Sequence, residues 1–245
     1  MNKFSEAVSQ ITPLLAEMQF GIGKKPTLSQ EALQQFKNFV SQASSKEKSA
    51  VTTTATWESL TDEISRQDKN TKRLLGKGNR KADLVFVGEI PNIGPGGTAP
   101  ADTPHFSGEP GKLFTKILQA MGLKTDDVYL IDFPPTSKSG VADQAPWIET
   151  QIQLIRPRGI VALGHAAAKL LLRSDPQVEK KPLSELRGGL RQIETAQLLI
   201  TYHPAYLVRN PAISAKRKVW EDLLGLMEKL DMPISEKQRR FFQSA

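Results

Sequence analysis

The sequence predicts an α/β protein, because short apolar runs of strand length alternate with amphipathic segments along most of the chain. The apolar runs predict buried strands at residues 84–87, 128–131, 159–163 and 198–201. The segments with helical spacing predict helices at residues 57–66, 112–121, 147–154, 166–172 and 216–230. Because strands that alternate with helices form parallel sheets covered on both faces, we expect the four strands to form the middle of a three-layer αβα domain.

An N-terminal helical extension is predicted before this domain. Residues 1–42 carry apolar side chains at helical spacing in two groups, Phe4, Val8, Ile11, Leu14 and Leu15, then Leu33, Phe36 and Val40 after a cap at Ser29. Residues 43–56 are polar and rich in Ser and Thr, so they are interpreted as a linker. The main domain is placed at 57–232. A basic C-terminal tail, at 233–245, carries Phe241 and Phe242, either exposed or docked on the core.

Composition favours a polyanionic partner. The net charge is +7 and the isoelectric point about 9.5, so nucleic acid is the first candidate and a membrane surface the second.

No apolar stretch approaches the ~20 residues of a membrane span. Glu6 and Gln10 interrupt any signal-peptide pattern, so we expect a cytoplasmic, nucleoid-associated protein. The chain has no cysteine, which excludes thiolate chemistry, and its three histidines are too scattered to indicate zinc.

The most informative segment, TYHPAYLVRNP, spans residues 201–211 and continues from the last predicted strand. His203 therefore stands at a strand end, where open α/β sheets place their ligands. It is followed by Pro204, Ala205, Tyr206, Leu207 and Arg209. An imidazole with an apolar wedge and a cation behind it suits a protein that inserts into nucleic acid. Taken alone, the segment equally fits an ordinary strand-to-turn connection with a hydrogen-bonded His.

Two more side chains are expected near that edge. Glu89 directly follows the first predicted strand and would share the crevice with His203, although it also fits a surface or capping carboxylate. Phe106 lies just before a predicted helix and would either stack on a flat ligand or plug the core. The glycine-rich run 94–97 lacks the spacing of a dinucleotide motif and the Lys-Ser/Thr of a P-loop, so it does not indicate nucleotide binding.

Several motifs occur in a specific order: Gly88-Glu89-Ile90-Pro91, Phe106-Ser107-Gly108 with Gly111, Val161-Ala162-Leu163-Gly164, Leu186-Arg187-Gly188, the 201–211 segment, and Trp220-Glu221-Asp222-Leu223. Together they resemble the iron–sulfur (family 4) branch of the uracil-DNA glycosylase superfamily, over roughly residues 57–232. The resemblance implies a central, mostly parallel four-stranded sheet with a base pocket at the carboxyl ends of its strands. It also implies hydrolysis of the N-glycosidic bond of a damaged base that is flipped out of DNA.

The resemblance assigns a role to each candidate residue. His203 should donate a hydrogen bond to the base carbonyl that gains negative charge, and Glu89 should position or deprotonate water, or balance the sugar cation. These two are the expected catalytic residues. The residues expected to bind the base are Ile90, Pro91, Asn92, Phe106 and Asp132. Phe106 should do so by stacking on it. The residues expected to press on the DNA or hold its phosphates are Pro204, Ala205, Tyr206, Leu207 and Arg209.

The chain departs from the family in lacking the four cysteines that hold the family's cluster, so a thiolate-held cluster cannot form. Where the family has paired cysteines, this chain has the charged segment 64–75. Packing or ion pairs must take the place of the cluster. Since the cluster is remote from the base in the family, its loss need not abolish catalysis. We therefore expect no cofactor and no metal.

Asp132 stands where the family has an Asn that reads the uracil edge. An ionised Asp only accepts hydrogen bonds and would face uracil O4 unfavourably, whereas a protonated Asp offers one donor and one acceptor. The protonated form could read uracil, hypoxanthine or the amino edge of cytosine, and burial favours it. Alternatively, Asp132 caps the backbone at Pro134 and Pro135, and a main-chain group reads the base.

The loops around the predicted pocket also differ. The stretch from 88 to 106 is longer and richer in Gly and Pro than in the family, with His105 in place of a usual Pro and Asn92 at a Gly position, where it could help to place water. The family's variant that traps DNA covalently uses a His-bearing loop after the second strand. Residues 133–146 contain no His, so no covalent trapping is expected.

These observations predict a monofunctional DNA glycosylase, acting most naturally on uracil in base-excision repair. The alternatives are a non-catalytic relative that binds extruded or damaged bases, and a nucleotide-binding module without a phosphate motif. The expected partner is DNA containing a damaged base, with no membrane, and the protein is expected to be a monomer. The N-terminal helices would bind a protein partner, add a DNA contact, or supply packing that the lost cluster region no longer gives.

Overall fold

A six-stranded mixed sheet organises the residues that the computed structural model describes, which are 55–67, 75–90, 108–133 and 144–242. In chain order the strands are β1 (Lys77–Gly78), β2 (Leu84–Glu89), β3 (Tyr129–Phe133), β4 (Gly159–Leu163), β5 (Leu190–Ile193) and β6 (Ala196–Thr201). Their order across the sheet is β1-β3-β2-β4-β6-β5. The four central strands are parallel, and the two edge strands are antiparallel to their neighbours.

Helices cover both faces of the sheet. They are α1 (Trp57–Gln67), α2 (Gly108–Ala120), α3 (Ala145–Ile155), α4 (His165–Leu171), α5 (Pro176–Lys180), α6 (Leu183–Leu186), α7 (Pro204–Arg209), α8 (Ile213–Lys229) and α9 (Glu236–Arg239), with a 3₁₀ turn at Thr125–Asp127. Because side chains alternate along a strand, Val85 and Val87 pack with α1, α3 and α4, whereas Leu84 and Phe86 pack with α2, α7 and α8. The three-layer αβα arrangement is thereby confirmed.

The four predicted strands are confirmed as the parallel centre of the sheet, but a sheet of only four strands is wrong. β1 has two residues, and β5 reads Leu-Arg-Gln-Ile with its side chains partly exposed, so neither gives an apolar run. The five predicted helices are present, with ends displaced by up to four residues. The predictions for residues 1–54 lie outside the described residues, and the division into domain, linker and tail stays a prediction. Within the described ranges, no helix is both long and apolar enough to span a bilayer.

The C-terminal tail docks on the core. The Trp220 indole donates to the backbone carbonyl of Gln238 at 2.9 Å. The side-chain amide of Gln238 donates to the backbone carbonyl of Ala120 at 2.8 Å. Phe242 is partly buried against the α2–α8 side, while Phe241 remains about half exposed. The two residues were expected to be either exposed or docked on the core, and Phe242 is docked.

A buried glutamine of α3 joins β3 to the residue that precedes β1, near the segment where the family has cysteines. Gln151 is fully buried, and its Oε1 accepts from the Gly76 amide at 2.8 Å and from the Tyr129 hydroxyl at 3.0 Å. Ile64 of α1 is also fully buried in the core on this face. Packing and hydrogen bonds therefore hold this region. Residues 68–74 of the segment lie outside the described residues.

Replacing Gln151 with Leu should destabilise the fold by about 3 kcal/mol, because the Gly76 amide and the Tyr129 hydroxyl lose their acceptor in a buried place. Gln153→Leu, two residues along the same helix and exposed, should change the unfolding free energy by less than about 0.5 kcal/mol. Urea unfolding of both variants measures the difference, and equal losses would mean that Gln151 does not anchor this region.

Candidate active site

The parallel register brings the predicted catalytic residues to one edge of the sheet. Gly88 pairs with Asp132 across β2 and β3, so Glu89 lies at the end of β2 beside the end of β3. Leu163 pairs with Thr201 across β4 and β6, and His203 follows two residues after that pair. These are the carboxyl ends of all four central strands, which is where an open α/β sheet forms its ligand crevice.

His203 is held as a neutral hydrogen-bond donor. Its Nδ1 accepts from the Ala205 amide at 3.0 Å, so Nδ1 carries no proton and the neutral ring carries its proton on Nε2. Burial lowers the pKa of His203 from 6.5 to about 4, the Asp132 carboxylate opposes this lowering, and the Arg209 guanidinium adds to it. At neutral pH the imidazole is therefore uncharged and offers an Nε2–H donor.

The residues after His203 form a short helix, α7, rather than a loop. His203 is its N-cap and Pro204 its first residue, which is a favoured place for proline. Tyr206 and Val208 are about 40% exposed and Arg209 is exposed, whereas Leu207 is 2% exposed and packs with the core between α2 and α8. Pro204 and Ala205 are buried as well.

The surface of this segment therefore differs from the predicted wedge. The structure places Leu207, Pro204 and Ala205 inside the fold, so the exposed side chains of α7 are those of Tyr206, Val208 and Arg209. Val208 was not among the predicted residues. A proline directly after a polar cap, with an arginine in the last turn, is a helix signal that could have identified these positions from the sequence.

Glu89 lies half-buried at the end of β2. Burial raises the pKa of its carboxyl above the ordinary value of 4.5. Chemistry that needs the carboxylate therefore begins to fail at a higher pH than it would with an exposed glutamate. Next to it, Ile90 is buried and its amide donates to the Phe133 carbonyl at 2.8 Å, which extends the pairing beyond the strand.

Asp132 is only 5% exposed and acts electrostatically on His203, so these two predicted residues share one environment. Gly164, which follows β4, packs against the same histidine. Its φ is +90°, and a Cβ at this position would stand 3.3 Å from the Cβ of His203. The positive φ favours glycine there, and a Cβ would in addition crowd His203.

Three predicted base-binding residues, Pro91, Asn92 and Phe106, lie outside the described residues. Among the residues that are described, no group of three or more His, Asp or Glu side chains is arranged to hold a metal ion. The described site therefore consists of Glu89, Ile90, Asp132, His203 and the exposed side of α7.

The partly buried, neutral His203 predicts a pH-dependent stability. The unfolded chain takes up a proton at His203 near pH 6.5 and the folded chain only near pH 4, so the free energy of unfolding should fall between these values as pH decreases. The decrease in the free energy of unfolding that comes from His203 is about 3 kcal/mol. Urea unfolding of the wild type and of His203→Gln from pH 7 to pH 4 measures it. Parallel pH curves for the two proteins would contradict the pKa assigned to His203.

Comparisons with known proteins identify the family of this chain. The family model described as the uracil DNA glycosylase superfamily matches residues 75–224. A type-4 uracil-DNA glycosylase of Thermotoga maritima is 30% identical over 162 residues, which cover 62% of this chain and 80% of the relative. Those of Archaeoglobus fulgidus and Saccharolobus solfataricus are 30% and 32% identical, covering 58% and 60% of this chain and 75% and 70% of the relatives. The chain belongs to the uracil DNA glycosylase superfamily, on its type-4 branch, and it lacks the cysteines of that branch's cluster.

Proposed function

We propose that the protein is a monofunctional DNA glycosylase that hydrolyses the N-glycosidic bond of uracil flipped out of DNA. The observation that carries the proposal is the neutral His203, which offers an Nε2–H donor at the sheet edge where Glu89 also lies. Sequence similarity to the type-4 uracil-DNA glycosylases supports the choice of substrate. The expected place of action is the nucleoid, where such DNA is found.

In this mechanism His203 stabilises the departing base. As the glycosidic bond breaks, negative charge develops on the base and positive charge on the sugar. The Nε2–H of His203 donates to the base carbonyl that gains charge. A neutral donor that is already oriented needs no rearrangement at this moment, and removing one such donor typically costs about 10²–10³ in kcat. Flipping is required because the bond is inaccessible inside the duplex.

Glu89 acts on the sugar side of the bond. As a carboxylate, it would orient or deprotonate the attacking water, or balance the positive charge that develops on the sugar. Its half-buried position favours either role, since electrostatic interactions are stronger where water is excluded. No lysine nucleophile is implied, so the product is an abasic site with an intact strand.

Asp132 is proposed to read the edge of the base. It is buried in the environment of His203 and takes the place of the family's Asn. A carboxylate accepts from the N3–H of uracil, whereas a protonated carboxyl both donates and accepts and would also suit hypoxanthine or cytosine. Activity on each of these bases therefore tests which hydrogen bonds Asp132 makes with the base.

The exposed side of α7 is proposed to contact the DNA. Tyr206 and Val208 would fill the space that the flipped base leaves, and Arg209 would hold a phosphate. Tyr206 stacks on Tyr202 with ring centroids 4.7 Å apart, so its ring is already oriented before DNA binds.

Replacing His203 with Ala or Glu89 with Gln should lower kcat for uracil release at least about 100-fold, with a much smaller effect on DNA binding. Oligonucleotides with one uracil, hypoxanthine, xanthine or cytosine are incubated at pH 6 and pH 8. Half of each sample is treated with alkali to cleave abasic sites. Release of uracil, with strands intact before alkali, is the expected result.

Glu149→Gln is the matched control. Burial also raises the pKa of Glu149, but it lies on α3, beside the amino ends of β4 and β6. Its replacement should leave kcat unchanged. If the wild type produces no abasic site from any substrate but binds DNA in a salt-sensitive way, the protein is the non-catalytic binder that Asp132 and the missing cysteines would favour.

Tyr206 and Leu207 should behave in opposite ways. Tyr206→Ala should weaken binding to uracil-containing duplex about 10-fold and lower the unfolding free energy by no more than about 1.5 kcal/mol, because the ring is 39% exposed and the contact it loses is the stack on Tyr202. Leu207→Ala should cost about 2–5 kcal/mol of stability, because it leaves a cavity between α2 and α8. Fluorescence anisotropy and urea unfolding measure the two effects. Equal DNA affinity for Tyr206→Ala and wild type would remove Tyr206 from the DNA interface.

A further inference from the structure

A buried ion pair lies behind the strand end that carries His203. The Arg187 guanidinium donates to both carboxylate oxygens of Asp222, from Nη2 to Oδ1 at 2.5 Å and from Nε to Oδ2 at 3.0 Å. The two side chains are 16% and 3% exposed. The Thr201 hydroxyl also donates to Oδ2 of Asp222, at 2.6 Å. The Asp222 carboxylate of α8 thus accepts three hydrogen bonds at a position that is almost entirely shielded from solvent.

These contacts continue to the proposed site along two routes. Thr201 is the last residue of β6 and is fully buried, and His203 follows it by two residues. Arg187 also lies over the ring of Tyr202, with Cζ 5.7 Å from its centroid, and Tyr202 stacks on Tyr206. The backbone and the aromatic stack therefore both connect Asp222 to α7 and its cap.

The backbone next to Arg187 is adapted to this arrangement. Gly188 has a φ of +81°, and a Cβ added to it would stand 2.8 Å from Oδ1 of Asp222. Its amide donates to the Ile200 carbonyl of β6 at 3.0 Å, and Arg187 Nη2 also donates to the Lys218 carbonyl of α8 at 2.8 Å. A side chain at position 188 would displace the carboxylate, which gives a physical reason for the Leu186-Arg187-Gly188 motif.

Stability alone does not account for such a pair. Removing two charges from water costs as much as their attraction returns, and well-packed apolar side chains of similar volume are often at least as stabilising. Burial raises the pKa of Asp222, and the Thr201 hydroxyl and Arg187 oppose this rise, so the carboxylate depends on its partners. What apolar packing cannot supply is the fixed direction of three charge-assisted hydrogen bonds.

We propose that Arg187 and Asp222 are positioning residues that hold His203 and Tyr206 as one unit at the end of β6, acting through Thr201 and Tyr202. The catalytic consequence rests on the proposed glycosylase function. The structural consequence does not, because the orientation and environment of the His203 ring can be measured without substrate.

The sharpest test is a pair of substitutions at Thr201. Thr201→Val has the same shape but no hydroxyl, whereas Thr201→Ser keeps the donor to Asp222. Thr201→Val should lower kcat for uracil release about 10-fold with KM changed less than about 3-fold, and Thr201→Ser should restore most of the loss. Asp222→Asn and Arg187→Met should give larger losses of the same kind. Arg173→Met, which breaks the exposed pair with Glu149, is the control and should leave kcat unchanged.

The second readout is the imidazole nitrogen NMR spectrum of His203, which can be assigned readily in a chain with three histidines. In the wild type we expect the proton on Nε2, since Nδ1 accepts from the Ala205 amide, and burial lowers the pKa of the ring to about 4. In Thr201→Val and Asp222→Asn the titration should move toward 6.5, because the ring is no longer held in its buried position.

The outcomes separate the two proposals. Lower melting temperatures with unchanged kcat and an unchanged His203 spectrum in Thr201→Val and Arg187→Met would overturn the positioning role. A wild type that releases no uracil, in which the His203 titration still moves in these variants, would overturn the proposed function and leave the positioning role standing.

Discussion

The parallel pairing of β2, β3, β4 and β6 is the constraint on which the rest of the structure depends. Because all four strands run in one direction, the residues that follow them meet at a single edge, although Glu89 and His203 are far apart in the sequence. The register is fixed by side chains that alternate between two apolar layers, and a slip by one residue would turn every one of them to the wrong face. The site is thus a consequence of core packing.

Burial at that edge has opposite consequences for the two proposed catalytic groups. The same removal from water lowers the pKa of His203 and raises the pKa of Glu89, since it disfavours the charged form of each. For the histidine this is useful, because a neutral ring keeps its donor and its cap to Ala205. For the glutamate it is a cost, because the proposed role needs the carboxylate. The half-buried position of Glu89 keeps this cost moderate.

The sequence predicted what depends on local apolar pattern and missed what depends on tertiary neighbours. The central strands and the site residues Glu89 and His203 follow from apolar runs and from what comes directly after them. The edge strand β5 has mixed polarity and only partly buried side chains, and among the described strands it pairs with β6 alone, so it gives no apolar run. Leu207 was expected on the surface, and only the packing of α2 and α8 around α7 determines that it is buried. The Arg187–Asp222 pair was visible as two motifs, but nothing in either motif shows that they meet.

Two buried polar side chains, Gln151 and Asp222, hold opposite faces of the sheet. Gln151 of α3 ties β3 to Gly76, the residue before β1, on one face of the sheet. Asp222 ties β6 to α8 on the other face, behind His203. Because the sheet separates the two side chains and they share no partner among the described residues, their energetic effects should be nearly additive. The Gln151 contacts therefore stabilise the first face locally, without involving the histidine that the second face holds.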